Sequence, residues 1–85
     1  EEAYSILIIP NPAKDEILLR QSFSPVKEQG IIIVFNTFGQ RLFVTPVLLS
    51  ENSIRISVGN LPAGLYYCQL IIDGKRVTHP FVITR

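Results

Sequence analysis

Apolar residues along this chain come in runs of roughly five to nine, separated by clusters of proline, asparagine, serine and glycine. The breaks fall at Pro10-Asn11-Pro12, Ser24-Pro25, Asn36 to Gly39, Ser50 to Asn52, Asn60 to Gly64 and Asp73-Gly74. This spacing predicts seven strands, at about 4–9, 16–22, 29–36, 41–47, 53–59, 65–72 and 75–84, in an all-β sandwich or barrel. The segment Ile54-Arg55-Ile56-Ser57-Val58 alternates cleanly, so Ile54, Ile56 and Val58 are expected on the core face and Arg55 and Ser57 in water. Ile31 to Phe35 does not alternate, which predicts a central strand covered on both sides by a neighbouring loop or a carrier domain.

The turns carry their own signals. Asp73-Gly74 suits a two-residue type I′ hairpin, because both residues tolerate positive φ. Asn36-Thr37-Phe38-Gly39 reads as a type I turn closed by a left-handed glycine. Pro80 has no N–H for a ladder, so the last strand is expected at a sheet edge or irregular there.

Composition strengthens the all-β reading: only three alanines occur, while Ile and Val dominate the apolar set. β-branched side chains lose rotamer freedom in helices and pack well on pleated surfaces. At 47% hydrophobic, 18% charged and a mean hydropathy of +0.31, the chain is not intrinsically disordered. Eighty-five residues make one domain, 1–85. The net charge of +1 comes from scattered basic residues, which excludes a strong field for nucleic acid or anionic lipid. The longest apolar run is far short of the ~20 residues of a membrane helix, so a soluble chain without membrane insertion is expected. The first residues lack the basic, then apolar, then small-residue pattern, so no signal peptide is expected within this sequence. We read a mature chain or a piece excised from a longer one, with a tether joining ahead of Glu1-Glu2 and Pro-Asn-Pro.

Reactive groups are few: one cysteine, one histidine, seven carboxylates. One cysteine makes no internal disulfide, and with one histidine it cannot complete a structural zinc site. No cofactor is expected. Alternation puts Cys68 on the face of Tyr66, Leu70 and Ile72, as a small core hydrophobe. His79, beside Pro80, is expected on the rim of an edge strand, with no nucleophile or acid spaced to pair with it. The carboxylates sit mostly at strand ends and turns, where solvation explains them. The glycines form no phosphate loop. Phe35, Phe38, Phe43 and Tyr67 would make a binding platform if they projected outward, but core packing is the default for aromatics.

Tyr66-Tyr67-Cys68-Gln69 bears a short likeness to the late strand of antibody variable domains, and Leu61-Pro62 with Tyr66 to fibronectin type III modules. Both lack their characteristic tryptophan here. A likeness over nearly the whole chain runs through four ordered motifs: Pro10-Asn11-Pro12-Ala13 with Asp15, Val34-Phe35-Asn36-Thr37-Phe38-Gly39-Gln40, Leu61-Pro62-Ala63-Gly64-Leu65-Tyr66, and Phe81-Val82. In this order they resemble the type A C-terminal sorting domain of the Bacteroidota type IX secretion system. The chain departs from that pattern at Ile9, where the family often has Tyr, at Cys68, commonly aliphatic, and at His79-Pro80, where the end is often Lys-rich.

Each motif also has a local physical reading. Pro10 and Pro12 stiffen the lead into the second strand, Gly39 permits a tight hairpin after which Gln40 restarts pairing, and Pro62 and Gly64 shape a corner. Tyr66 is placed to pack inward with its hydroxyl on a loop carbonyl.

The resemblance implies a seven-stranded Ig-like antiparallel sandwich with no catalytic role, at the end of a longer secreted protein. It implies a covalently linked N-terminal cargo, export through the periplasm and across the outer membrane, and usually sortase removal with cell-surface attachment. The implied partners are the shuttle, translocon and sortase proteins of the system. Within this reading the last strand, Phe81-Val82-Ile83-Thr84-Arg85, is the candidate recognition element, since a terminal edge offers free backbone groups for strand addition. The alternative is an Ig-like or fibronectin-like accessory module of a cell-surface enzyme, acting as spacer or carbohydrate binder.

Overall fold

A computed structural model describes residues 6–21, 29–48, 53–72 and 74–85. Seven strands follow the predicted order: β1 (Ile6–Ile9), β2 (Glu16–Gln21), β3 (Gln29–Phe35), β4 (Arg41–Leu48), β5 (Ser53–Ser57), β6 (Gly64–Ile72) and β7 (Lys75–Ile83). Residues 4, 5 and 22 of the expected strands lie outside the described residues; among those described, the largest shortening is at β5, expected to run to 59. A turn begins at Val58, whose carbonyl accepts from Leu61 N–H at 3.1 Å.

The strands form two antiparallel sheets, β1-β2-β5 and β4-β3-β6-β7. This is an Ig-like sandwich with the fourth strand beside the third. The inner faces supply one core, and its fully buried side chains include Ile8, Ile17, Leu19, Ile32, Val34, Cys68, Leu70, Phe81 and Ile83. Ile56 and Val58 are buried and Ile54 is packed against the core, while Arg55 and Ser57 are exposed, as the alternation requires. Cys68 shares the inner face with Tyr66, Leu70 and Ile72.

The central position of β3 holds, but the double covering does not. Ile32 and Val34 face the core and Ile33 is buried on the opposite face, yet Ile31 is 42% exposed and Phe35 only half-buried. Registered with them on the outer side are Val44 and Pro46 of β4, Tyr67 and Ile71 of β6, and, beyond these, Pro80 and Val82 of β7. This face is largely apolar, interrupted by Gln69 opposite Ile33, which donates to Thr78 Oγ1 and accepts from Arg76, and the described residues put no second layer over it.

The edges follow from proline chemistry. Val82 directs its N–H and C=O away from β6, so by alternation Pro80 also occupies an outward position and its missing N–H costs no ladder bond. Carried across β6 and β3, the same alternation puts Pro46 at an outward position on β4, the other edge of the sheet. Each proline carbonyl takes a bond from the preceding side chain, Pro80 from His79 Nδ1 at 2.7 Å and Pro46 from Thr45 Oγ1 at 3.3 Å. Both edges of the larger sheet are thereby blunted against pairing.

Ile72 pairs with Lys75, which makes the β6–β7 connection a two-residue hairpin with Gly74 at φ +77°. Asp73 lies outside the described residues.

Adjacent residues of β3 test the register. Ile32→Val is expected to cost about 1 kcal/mol and Ile31→Val less than about 0.5 kcal/mol in urea denaturation, because only the first opens a cavity. The reverse ranking would mean that the faces of β3 are misassigned.

Candidate functional site

The four sequence motifs converge at one end of the sandwich. Gly64, the first residue of β6, pairs with Ile83, the last of β7, and Ala13 bridges to that same Ile83. Phe35, at the end of β3, lies opposite Tyr67, so the Asn36–Gln40 turn projects from this pole too. The turn that follows β5 and leads through Leu61-Pro62-Ala63 completes it. Ile6, the first described residue, pairs with Gln21 at the other end of the strands. The first described strand therefore starts at one pole, and the motifs lie on the opposite one.

Pro10 to Ala13 lie along the edge of β7. Both Ile9-Pro10 and Asn11-Pro12 are cis, which the sequence reading does not anticipate. Asn11 Oδ1 accepts from Val82 N–H at 3.0 Å, Ala13 N–H donates to Val82 O at 2.7 Å, and Thr84 N–H donates to Ala13 O at 2.9 Å. The outward backbone groups of Val82 and the Thr84 N–H are therefore occupied. Free pairing groups, which strand addition at the last strand would need, are absent at these positions; what it presents to solvent is the side chains of Val82, Thr84 and part of Arg85. Phe81 and Ile83 point into the core.

Leu61-Pro62-Ala63-Gly64-Leu65-Tyr66 forms a corner closed from within. Tyr66 is buried, stacks on Phe81 with ring centroids 5.7 Å apart, and donates its hydroxyl to Pro62 O at 2.6 Å. The predicted carbonyl cap is thus present. Arg85 ties the corner to its surroundings. Its guanidinium donates to Leu61 O from Nε and Nη2 at 3.2 and 2.6 Å, to Lys14 O from Nη1 at 2.6 Å, and to Val58 O and Gly59 O from Nη2 at 3.0 and 3.1 Å. Asp15 Oδ1 lies 3.6 Å from Nη1. A planar fork spreads its donors over three nitrogens in a fixed geometry, which the single ammonium nitrogen of a lysine does not reproduce. Nothing in the sequence marks this role, since the acceptors are backbone atoms.

The Asn36 hairpin is organised by one side chain. Gly39 N–H donates to Asn36 O and Asn36 N–H to Gln40 O, each at 3.1 Å, with Gly39 at φ +82°. Asn36 Oδ1 accepts from the N–H groups of Phe38 and Gln40 at 2.9 and 3.0 Å, and Asn36 Nδ2 donates to Gln40 Oε1 at 2.7 Å. This is the expected turn, with Gln40 restarting the pairing. Phe38 departs from the core-packing default: it is 88% exposed at the tip. Phe35 and Tyr67 are half-buried neighbours on the outer face and Phe43 is exposed, so among the described residues the core aromatics are Tyr66 and Phe81 instead.

A family model described as the secretion system C-terminal sorting domain matches residues 7–84, a span that includes all four motifs. The chain belongs to that family. It is a C-terminal sorting-signal domain of the type IX secretion system, and the family is in general non-catalytic. No curated protein matches the chain.

Several of the sorting domain's described ionisable groups are engaged structurally. Cys68 is fully buried, and loss of hydration pushes its thiol up to about 12, the wrong direction for a nucleophile. His79 sits half-buried on edge strand β7 and contacts the adjacent Pro80 carbonyl. Asp15 and Glu16 are exposed, Asp15 beside Arg85 and Glu16 beside Arg55 at 3.5 Å. The other carboxylates, Glu1, Glu2, Glu28, Glu51 and Asp73, lie outside the described residues. No group of three or more His, Cys, Asp or Glu able to hold a metal occurs among the described residues. A shallow hollow of about 360 Å³ is lined by Ile9, Pro10, Glu16, Ile17, Leu18 and Arg55, without an aromatic ring on which a sugar would stack.

Two measurements test these assignments. Arg85→Ala is expected to cost about 1–3 kcal/mol in urea denaturation, with Arg85→Lys recovering only part of it. Equality of Arg85→Lys with wild type would remove the case for the multidentate clasp.

For Cys68 the folded-state pKa lies above the unfolded one, so its contribution is whole below the unfolded value and falls away as pH rises toward about 12. Wild type should therefore lose about 1.4 kcal/mol more than Cys68→Ala between pH 8 and pH 10. Parallel pH profiles for the two proteins would contradict a buried, protonated thiol.

Proposed function

We propose that this domain is the non-catalytic address of a longer exported protein, with residues 1–85 as one folded unit behind a covalently linked N-terminal cargo. The machinery's shuttle and translocon proteins recognise its folded β surface and carry the cargo from the periplasm across the outer membrane. A sortase then removes the domain and the cargo is attached at the cell surface. The observation that carries this reading is the gathering of four family motifs on the pole opposite the chain's first strand. A partner can grip that pole while the cargo occupies the other. The last strand contributes through its outward side chains, Val82 and Thr84, because its outward backbone groups are already bonded.

A reporter fused ahead of residues 1–85 in a type IX-competent host is expected to leave the periplasm. Deleting 81–85 would be uninformative, since it removes Phe81 and Ile83 from the core. Val82→Lys with Thr84→Lys is the cleaner variant, expected to reduce export while the urea midpoint stays near wild type. A wild-type fusion retained in the periplasm, beside an established sorting domain that is exported, would refute the reading. Unimpaired export of the double variant would remove the last strand from the recognition surface.

A further inference from the structure

We infer that Phe38 anchors the folded domain in an apolar pocket of a protein partner in the export machinery, with a carboxylate at the pocket rim facing Arg41. The inference rests on the sorting reading and names the contact through which it operates. Its starting point is a ring that the fold does not use: Phe38 is 88% exposed, the most exposed of the large apolar side chains described. The turn does not require it. Asn at the first position and Gly at the fourth satisfy the preferences of a type I turn, and the third position accepts most residues. A polar residue there would close the same hairpin without putting an aromatic ring in water.

The ring's backbone is nevertheless held firmly. The N–H of Phe38 is bonded to Asn36 Oδ1, and the same oxygen and its amide partner fix Gln40 on the other arm. An exposed aromatic on a pre-ordered turn loses little conformational freedom when it enters a pocket, which is the property of an interface anchor. The hairpin projects from the motif pole, away from the end where β1 starts.

Charge selects the kind of partner. Arg41, three residues along, is exposed and has no ion pair among the described residues, and the segment from Phe35 to Leu42 has no acidic side chain. Two copies meeting tip to tip would bring their Arg41 side chains together, which disfavours self-association. A lipid surface is disfavoured as well: a net charge of +1 supplies no polybasic patch of the kind that stable membrane attachment uses. An apolar pocket with an acidic rim satisfies both groups.

The test compares wild type, Phe38→Ser, Phe38→Leu, Arg41→Lys and Arg41→Glu in the reporter fusion, with urea midpoints measured on purified residues 1–85. Phe38→Ser is expected to lower the exported fraction by roughly tenfold or more, the scale of losing an interface anchor, with an unchanged midpoint. Phe38→Leu and Arg41→Lys should retain most export, and Arg41→Glu should lose it. Wild-type export with equal export of Phe38→Ser overturns this inference alone, as does a Phe38→Ser midpoint shifted as far as that of a core variant. Binding of the purified domain to phosphatidylglycerol vesicles, or a concentration-dependent dimer in sedimentation, abolished by Phe38→Ser in either case, overturns it in favour of a lipid or a second copy. A wild-type fusion that stays periplasmic overturns the sorting reading, and this inference with it.

Discussion

The three hydrogen bonds between the Pro10–Ala13 segment and the end of β7 hold the rest of the structure in place. They join the lead into β2 to the final strand, across 71 residues of sequence in the case of Asn11 and Val82. A small sandwich has to bury the inner faces of both sheets and also satisfy the backbone groups along their edges. Here one loop serves both needs, since Ala13 is itself fully buried while its N–H and C=O pair with Val82 and Thr84. Arg85 then reaches from the strand so fixed to the carbonyls of Lys14, Val58, Gly59 and Leu61, drawing the loops after β1 and β5 onto the same end. Loss of the loop would expose the edge of β7 and leave Arg85 without a defined origin for its reach.

Much of this architecture was legible because short strands obey period two and turns obey steric rules that depend on residue type. The alternation of Ile54 to Val58, the Asn36–Gln40 turn, the edge position of β7 and the Tyr66 cap all follow from side-chain direction, positive φ or a missing N–H. The outer face of β3 was not legible. A run such as Ile31 to Phe35 states that a strand is apolar on both sides but not whether a second layer covers it, and β-branched residues favour strands even where they meet water. The aromatics were misassigned for a related reason, since sequence alone does not distinguish a ring that fills the core from one held at a hairpin tip. Pro46 carried the same edge signal as Pro80 and went unused. The clasp of Arg85 was not legible because carbonyl acceptors leave no trace in residue identity, and the side-chain bond of Asn11 was hidden for the same kind of reason, its partner being a backbone N–H.

The convergence of motifs bears on what kind of signal this is. A linear address can be read from an unfolded chain, whereas a pole assembled from residues 10–13, 36–40, 61–66 and 82–85 exists only once both sheets have formed. Pairings between such distant segments carry a loop-closure cost that is repaid by the assembled sheets. A partner that binds the assembled pole thereby discriminates folded from unfolded domains with no additional sensor. The scarcity of chemistry in the chain fits this role. A surface that is to be handled by other proteins needs a stiff scaffold and defined contacts. With its thiol buried and protonated and its terminal guanidinium committed to carbonyls, the domain directs its few functional groups to keeping that surface in shape.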